Sequence, residues 1–442
     1  MSQFLHWLLP STDRPAKEKT AEHNANLAFA SLRNGDWQQA RKLFSPFPRY
    51  IMTEKMLEKG WRFTEVAFGK FKHHGPPTCS VGWLFTTVTV PVSFSRVNMI
   101  AKMHMTPSGG IFSLKLSPVL VSEWHAPCYA PHPDEMREIK RRFGKGLFTV
   151  GGTITLPAES SKCPCVILIS GSGPLSRDSD VGALKPFKDL ALGLAQQGIA
   201  TCRLDKVTYT YRLWYMLNRC GARRMTLLDE YAQVFDAIRY ISRHPDVDSN
   251  RVYVLGHSLG GLVAAHAAAT ETLVAGCILM AAPHEAIYRC AIRQYQYLAS
   301  IEDDEELTRD ILSDAEGLEA KAALADSPDL SPSTPAEKLP FGIGPGYWLE
   351  CRKLRVQETV KRLQKPVLVL QGSRDYQIDM VEYEKLRASL GGSDAEFRVF
   401  EGLNHCFVMG EGTPSPADYH KPGSVSVEAI EEIARWTEQI PQ

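Results

Sequence analysis

The stretch that decides the fold is VLGHSLGG, residues 254–261. It matches the G-x-S-x-G pattern of a nucleophile elbow, in which a strand turns sharply into a helix and exposes a serine, here Ser258. The strand-like run RVYVLG (251–256) precedes the serine, and GLVAAHAAATE (261–271), rich in small helix-forming residues, follows it. Side chains in place of the flanking glycines would collide across such a turn. The context therefore predicts that Ser258 is a nucleophile.

Two later segments supply a candidate acid and a candidate base. The apolar run PVLVLQG (366–372) is typical of a buried parallel strand, and the turn after it carries Asp375. The strand-like segment EFRVF (396–400) leads into the loop that carries His405. Catalytic groups gather just past the carboxyl ends of such strands, and Ser–acid–His is the chain order that accompanies this elbow. We therefore predict that His405 takes the proton of Ser258 and that Asp375 orients the imidazole.

Other residues remain open for the same two roles. Asp379 lies in the same turn as Asp375, further from the strand end, and Glu285 follows another strand-like run, AGCILMAAPHE. The alternative base is His420, which lies in a loop rich in proline and glycine with no strand before it.

An oxyanion needs two backbone donors, and the sequence offers one in each of two loops. The N–H of Leu259 directly follows the nucleophile. The second donor is expected in the glycine-rich loop GSGP after the strand CPCVILIS (163–170), where we predict the N–H of Ser172, with Gly173 as the alternative. This loop is not a phosphate loop, because no GK[ST] follows it and it does not match G-x-G-x-x-G.

Composition narrows the class of protein. The chain has 442 residues, with 50 basic and 50 acidic side chains, so its charge gives no case for nucleic acid or an anionic membrane as a partner. No apolar run is long enough for a membrane span, and the N-terminus lacks the features of a signal peptide. The ten cysteines do not show the paired spacing of a zinc site. We expect a cytoplasmic protein with no metal and no cofactor.

The pattern along the chain predicts two domains. Residues 1–18 are expected to form a flexible arm, and residues 19–118 a small α+β domain in which short helices precede antiparallel strands, the first of them at 64–73. A proline-rich linker (119–136) follows. Residues 137–442 alternate strands with helices, which predicts the α/β class with a mostly parallel sheet covered on both faces.

Two regions are expected to surround the site. The long gap between the strands at 275–282 and 366–372 is helical in pattern and predicts a cap insertion at about residues 284–362. The segment 203–225 follows another strand and is aromatic and basic. Its aromatic residues either line a substrate pocket or only pack the loop against the cap; they are Tyr209, Tyr211, Trp214 and Tyr215.

Several of these motifs together resemble a family of bacterial α/β-hydrolase serine esterases. The shared features are a GSGP-x-x-RD loop, the GHSLGG elbow, a QG-x-RDYQ motif and the EGLNH loop, within residues 137–442. The resemblance implies a carboxylesterase with Ser258, Asp375 and His405 at the triad positions. Arg177 and Asp178 match the loop motif and are interpreted as its structural supports. The region before residue 119 resembles a small nuclear-transport-factor-2-like domain. Three hypotheses remain open for this domain, namely a homodimer surface, a lid and a structural support.

The expected function is hydrolysis of a small-molecule carboxylic ester through an acyl-enzyme on Ser258. An acyltransferase or acyl thioesterase would use the same triad and differ only in the acceptor or the leaving group. A binding or scaffold protein on a hydrolase fold is the third hypothesis, since a fold alone does not fix function. The complete set of Ser258, Asp375 and His405 argues against this third hypothesis.

Overall fold

The computed structural model describes residues 14–118, 124–146, 148–158 and 162–439, and the chain divides into two units. The described part of unit 1 is residues 14–118 and 302–309, and the remaining described residues form unit 2. Residues 1–13 of the predicted arm and residues 119–123 of the predicted linker lie outside the described residues.

The described residues of unit 1 form four helices followed by five strands. The helices are α1 (Arg14–Arg33), α2 (Trp37–Lys42), α3 (Pro46–Ile51) and α4 (Glu54–Phe68). The strands are β1 (Phe71–His74), β2 (Thr78–Val81), β3 (Thr86–Phe94), β4 (Asn98–Met105) and β5 (Ile111–Pro118). They form an antiparallel sheet in the order β1-β3-β4-β5, in which β2 also pairs with β3. Alternate residues of β3 and β4 are buried, so the period-two pattern there correctly indicated strands.

The prediction of a strand over residues 64–73 is wrong for its first half, because α4 continues to Phe68. Leu57, Trp61 and Glu65 are buried at a spacing of four, which places them on one face of a helix. The helix ends at Gly69, whose φ of +83° is readily adopted only by glycine. Residues 64–68 are helical because the buried face of α4 packs in unit 1, although their local alternation of apolar residues is typical of a strand.

Eight strands occur among the described residues of unit 2, and they form one sheet. The strands are β6 (Met136–Phe143), β7 (Val150–Pro157), β8 (Cys163–Ile169), β9 (Ala200–Leu204), β10 (Val247–His257), β11 (Gly276–Met280), β12 (Val367–Gly372) and β13 (Ala395–Phe400). Their order is β13-β12-β11-β10-β8-β9-β7-β6. The six strands from β13 to β9 are parallel, and β7 and β6 add to the edge as antiparallel strands. The predicted α/β class with a mostly parallel sheet is confirmed.

The helices of unit 2 cover both faces of this sheet. Those between the strands are α5 (Pro186–Gln196), α6 (Val207–Thr210), α7 (Arg212–Leu217), α8 (Arg219–Arg224), α9 (Leu227–Glu230), α10 (Ala232–Ile241) and α11 (Gly260–Thr270). Four helices between β11 and β12 follow, namely α12 (Ile287–Ser300), α13 (Glu305–Asp326), α14 (Pro345–Lys353) and α15 (Val356–Val360). The first residues of α13, up to residue 309, belong to unit 1. The last two are α16 (Met380–Ser389) and α17 (Val427–Gln439).

The central parallel strands are apolar on both sides because each side faces a separate hydrophobic cluster. In β10, Val252 and Val254 pack in one cluster with α10 and α11, whereas Tyr253 and Leu255 pack in the other with α5 and α17. This explains why the sequence shows continuous apolar runs here in place of alternation. None of the described helices is both long and apolar enough to cross a bilayer.

The turn from β10 into α11 is packed directly on neighbouring backbone. A Cβ atom added at Gly260 would lie 2.4 Å from the carbonyl oxygen of Ile169 and 2.7 Å from that of Ser170, at the end of β8. A Cβ atom added at Gly256 would lie 2.3 Å from the carbonyl oxygen of Gly260. Both positions therefore require glycine for steric reasons.

We expect Gly260→Ala to lower the free energy of unfolding by about 2 kcal/mol or more, because the backbone at Ile169 and Ser170 must shift. The matched control is Gly317→Ala in α13, where an added Cβ meets no atom within 4 Å. That substitution is expected to raise the free energy of unfolding by about 0.5–1 kcal/mol through helix propensity. Urea unfolding of both variants measures the difference, and equal effects at the two sites would contradict the packing argument.

Candidate active site

Ser258 lies at the apex of the turn, between the end of β10 and the start of α11. Its φ is +54°, an uncommon conformation for a residue with a side chain, and it is only 4% exposed. The N–H of Ser258 donates to the carbonyl oxygen of Met280 at 2.9 Å, which fixes the turn to the end of β11. A strained backbone held in this way is typical of functional positions.

The structure brings Asp375 and His405 together. His405 Nδ1 lies 2.6 Å from Asp375 Oδ2, and both side chains are buried. The other carboxylate oxygen, Oδ1, accepts the N–H groups of Gln377 and Ile378 at 2.8 and 3.0 Å. These bonds hold the carboxylate in place. A carboxylate oxygen only accepts, so Nδ1 of His405 carries a proton that it donates to Asp375. The lone pair of Nε2 is then free to act as a base.

The alternative acids and base have other positions in the structure. Asp379 is the N-cap of α16 and accepts the N–H of Glu382 at 3.0 Å. Glu285 is paired with Arg293 at 2.6 Å and with Lys385 at 2.7 Å. His420 ends a short 3-10 turn that starts at Pro416. Of the predicted acids, Asp375 is the one whose carboxylate contacts His405.

His257, the residue between the elbow glycine and the serine, joins the elbow to the His405 loop. Its Nε2 lies 2.8 Å from the carbonyl oxygen of His405, and the two imidazole rings are 4.5 Å apart. A carbonyl oxygen only accepts, so Nε2 of His257 carries the proton. The sequence analysis did not select this histidine. Within the described residues, no hydrogen bond joins Ser258 Oγ to His405; such bonds are often long before substrate binds.

The two predicted oxyanion donors lie on loops that meet at the nucleophile. A Cβ atom added at Gly171 would lie 3.0 Å from Cβ of Ser258, so the backbone before Ser172 runs directly beside the nucleophile. Neither the N–H of Ser172 nor that of Leu259 donates to an acceptor in the described part of the chain. Gly173 has a φ of +89°, which the turn of this loop requires.

Arg177 and Asp178 connect the glycine-rich loop to the end of β9. The guanidinium of Arg177 donates to both carboxylate oxygens of Asp205, at 3.0 and 2.7 Å, and Asp205 also accepts the backbone N–H of Arg177. Asp178 accepts from the buried Arg203 at 2.7 Å. Bidentate contacts of this kind fix geometry as well as charge, which supports the interpretation of both residues as supports of the loop.

The cleft that includes Leu259 is lined mainly by residues of the segment 284–356, which lies within the predicted cap insertion. Its apolar lining includes Leu259, Leu262, Ile287, Tyr288, Trp348 and Val356, and the polar side chains of His284, Glu285, Arg352 and Arg355 also line it. The predicted aromatic residues lie around another depression. Tyr209, Tyr211 and Trp214 line it, and Tyr211 and Trp214 stack edge-on against Phe148. Tyr215 packs edge-on against Trp214 and lies at the margin of the main core.

The described residues contain no group of three or more His, Cys, Asp or Glu side chains arranged to hold a metal ion. Cys165, Cys202 and Cys277 are buried free thiols in the strands of the core. Burial raises the pKa of the Cys202 thiol to about 12, with the cations Arg203 and Arg177 opposing. These thiols are therefore packing residues and not nucleophiles.

The buried position of His257 makes stability depend on pH. Burial, reinforced by the neighbouring His405, lowers the pKa of His257 to about 3. In the unfolded chain a histidine titrates near 6.5, so between these values the unfolded state binds more protons than the folded state. The folded protein therefore loses stability as the pH falls through this window. We expect this residue alone to lower the free energy of unfolding by about 2–3 kcal/mol between pH 6 and pH 4.

The variant His257→Gln tests this expectation, because glutamine keeps an N–H donor near the position of Nε2 and does not titrate. Urea unfolding from pH 4 to pH 7 is expected to show a shallower acid-side loss in the variant than in the wild type. Comparison of the two proteins at pH 7 gives the packing cost of the substitution. If the free energy of unfolding falls equally with pH in the two proteins, His257 is not the cause of the acid-side loss of stability.

Comparison with known proteins agrees with this architecture. A model of the alpha/beta hydrolase family matches residues 166–419. An esterase named EstD from Thermotoga maritima is 30% identical over 420 residues, which cover 94% of this chain and 95% of that protein.

Two solved structures are similar to this chain at low identity. Est1E from Butyrivibrio proteoclasticus is 18% identical, with a TM-score of 0.41, over 68% of this chain and 96% of its own. The esterase domain of a Rhodothermus marinus protein is 14% identical, with a TM-score of 0.40, over 69% of this chain and 98% of its own. The family model and the curated relative together decide the classification: this chain belongs to the α/β-hydrolase family.

Proposed function

We propose that this protein is a serine esterase that cleaves small carboxylic esters through an acyl-enzyme on Ser258. The observation that carries the proposal is the buried Asp375–His405 pair, 2.6 Å between Oδ2 and Nδ1. The carbonyl oxygen of His405 accepts from His257, the residue directly before Ser258 in its strained turn. The relative EstD, similar along nearly the whole chain, is named an esterase and supports the same activity.

In the first step, Ser258 Oγ attacks the ester carbonyl carbon while Nε2 of His405 takes the hydroxyl proton. This requires a hydrogen bond between Ser258 and His405 that forms as the substrate settles. The new imidazolium is stabilised by the carboxylate of Asp375. The negative charge moves to the carbonyl oxygen, where the N–H groups of Leu259 and Ser172 are proposed to bind it.

The tetrahedral intermediate collapses when the C–O bond to the alcohol breaks. His405 gives its proton to the departing alkoxide, and the acyl group remains esterified to Ser258. Water then enters, loses a proton to Nε2 of His405 and attacks the acyl carbon. The second intermediate releases the carboxylic acid and returns the proton to Ser258 Oγ.

The acyl group is proposed to lie in the cleft next to Leu259. Its walls are apolar over most of their surface, with Ile287, Trp348 and Val356 contributed by the insertion between β11 and β12. An apolar cleft gains affinity from each buried methylene group, so it favours esters of acids with an alkyl or aryl chain over acetate.

Ser258→Ala is expected to reduce kcat for p-nitrophenyl butyrate by at least about a thousandfold, and Asp375→Asn by about 10³–10⁴-fold. The matched control is Asp379→Asn, because asparagine also caps a helix and Asp379 does not contact His405. That control should keep near wild-type turnover. Full activity in Ser258→Ala, or equal losses in the two aspartate variants, would exclude the proposed triad.

Product analysis separates hydrolysis from acyl transfer. With wild-type protein and the same ester, free butyrate is expected as the main product, even when an added alcohol or amine competes with water. If the acyl group appears mainly on the added acceptor or on a thiol, the enzyme is a transferase and the ester is only a surrogate donor.

The cleft assignment predicts a shift in chain-length preference. Val356→Trp narrows the cleft, so kcat/KM for octanoyl esters should fall about tenfold relative to acetyl esters, as expected when several buried methylene groups lose their contacts. Trp214→Ala is the comparison, because Trp214 lies in the other depression. A change of preference in Trp214→Ala alone would place the acyl group among the aromatic residues of 209–215.

A further inference from the structure

A buried lysine lies directly behind the glycine-rich loop. Lys206 follows β9, and its side chain is only 3% exposed. Its Nζ donates to the carbonyl oxygen of Gly171 at 2.9 Å and to the hydroxyl of Tyr231 at 2.9 Å, and it lies 3.1 Å from Glu230 Oε1. All three partners are within hydrogen-bond distance, so the ammonium group is fully used inside the protein.

The charge of Lys206 is balanced by an equally buried carboxylate. Glu230 accepts from Thr208 at 2.9 Å and from the hydroxyl of Tyr347 at 3.0 Å, in addition to its contact with Lys206. Taking both charges out of water is costly, and apolar residues of similar volume often replace such pairs without loss of stability. Stability alone therefore does not explain why charged side chains occupy this position. The group that Lys206 binds indicates what the lysine does.

That target is one carbonyl group of the glycine-rich loop. The hydroxyl of Tyr231 lies 2.8 Å from the carbonyl oxygen of Gly171 and 2.9 Å from the carbonyl oxygen of Ser170, so its single proton is shared between these two acceptors. Gly171 O thus faces two donors, Lys206 Nζ and Tyr231 Oη, on the side of the loop away from solvent. Both donor side chains are buried, so water does not compete for this oxygen.

The position of this carbonyl determines where the next N–H points. A trans peptide is planar, so the N–H of Ser172 points in the direction opposite to the C=O of Gly171. Gly171 lies beside Ser258, and the Ser172 N–H has no acceptor among the described residues. If this peptide turned over, it would present a carbonyl oxygen where a donor is needed. Glycine on both sides of Ser172 makes such a turn sterically easy.

We propose that Lys206 and Tyr231 are positioning residues that hold the Gly171–Ser172 peptide with its N–H directed at the oxyanion. The inference rests on the esterase function proposed above, because it assigns Ser172 to the oxyanion hole of that reaction. Neither side chain contacts the substrate. They act through the peptide, and Glu230 keeps Lys206 charged and in place.

The segment after β9 holds the loop at further points. The backbone N–H of Lys206 donates to the carbonyl oxygen of Leu175 at 3.1 Å, and the neighbouring Asp205 binds Arg177. The loop is therefore fixed at residues 171, 175 and 177 by two consecutive residues. This arrangement leaves the peptide before Ser172 little freedom while its N–H remains available.

The test is Tyr231→Phe, an isosteric change that removes one of the two donors to Gly171 O. Complete loss of an oxyanion donor costs about 10²–10³ in kcat, and Lys206 remains, so we expect kcat for p-nitrophenyl butyrate to fall about tenfold with KM within about twofold. The affinity for an alkyl trifluoromethyl ketone, whose adduct with Ser258 carries an oxyanion, should fall about as much as kcat.

Tyr347→Phe is the matched control. It removes another buried hydroxyl from the same cluster, one that contacts Glu230 and does not contact Gly171. It is expected to leave kcat and ketone affinity near the wild-type values. A second variant, Lys206→Met combined with Glu230→Gln, removes the charge pair without leaving a lone buried charge, and its kcat should also fall with little change in KM. Thermal unfolding of all variants reports their fold.

The outcomes are distinguishable. Suppose that Tyr231→Phe and the double variant both keep the kcat and ketone affinity of the wild type, while hydrolysis still depends on Ser258. That result would overturn the positioning role and leave the proposed esterase function intact. Equal losses in Tyr347→Phe and Tyr231→Phe would also overturn it, because they indicate a general effect on the cluster. If wild-type hydrolysis does not depend on Ser258, the proposed function fails and this inference fails with it.

Discussion

The close contact between the β10–α11 turn and the end of β8 is the constraint on which the rest of the site depends. Gly260 allows the helix to start against the carbonyl oxygens of Ile169 and Ser170, and the N–H of Ser258 binds the end of β11. The turn that carries Ser258 follows β10 and is therefore fixed against the ends of its two neighbours in the sheet, β8 and β11. The loops after β8, β12 and β13 then carry Ser172, Asp375 and His405 to the same edge of the sheet.

Much of this arrangement could be predicted from the sequence because the signals are local. The elbow is a contiguous pattern flanked by a strand and a helix, and the central parallel strands, such as β8 and β12, are apolar runs of the expected length. Asp375 and His405 follow such strands directly, and the structure brings them to 2.6 Å. Arg177 and Asp178 of the glycine-rich loop were interpreted as structural supports. The ion pairs of Arg177 with Asp205 and of Asp178 with Arg203 agree with that interpretation.

The features that the sequence analysis missed depend on contacts between distant segments. The end of α4 looked like a strand because short alternating runs are ambiguous, and packing of Trp61 and its neighbours decided the outcome. Lys206 and Glu230 were not noticed, since nothing local shows that a charged side chain will be buried. The sequence predicted an insertion at about residues 284–362 near the site, but the choice of its residues that line the cleft follows from how α12, α14 and α15 pack, which no local pattern shows.

The hydrogen bond from His257 to the carbonyl oxygen of His405 spans 148 positions of the chain. It means that the residue inside the elbow motif is matched to a loop encoded far downstream. A recombination event that exchanges the C-terminal segment with that of another hydrolase therefore separates two partners that have to agree. In a chimera of this kind, position 257 has to be inherited together with the loop that it holds, so the elbow of this protein is not an interchangeable module.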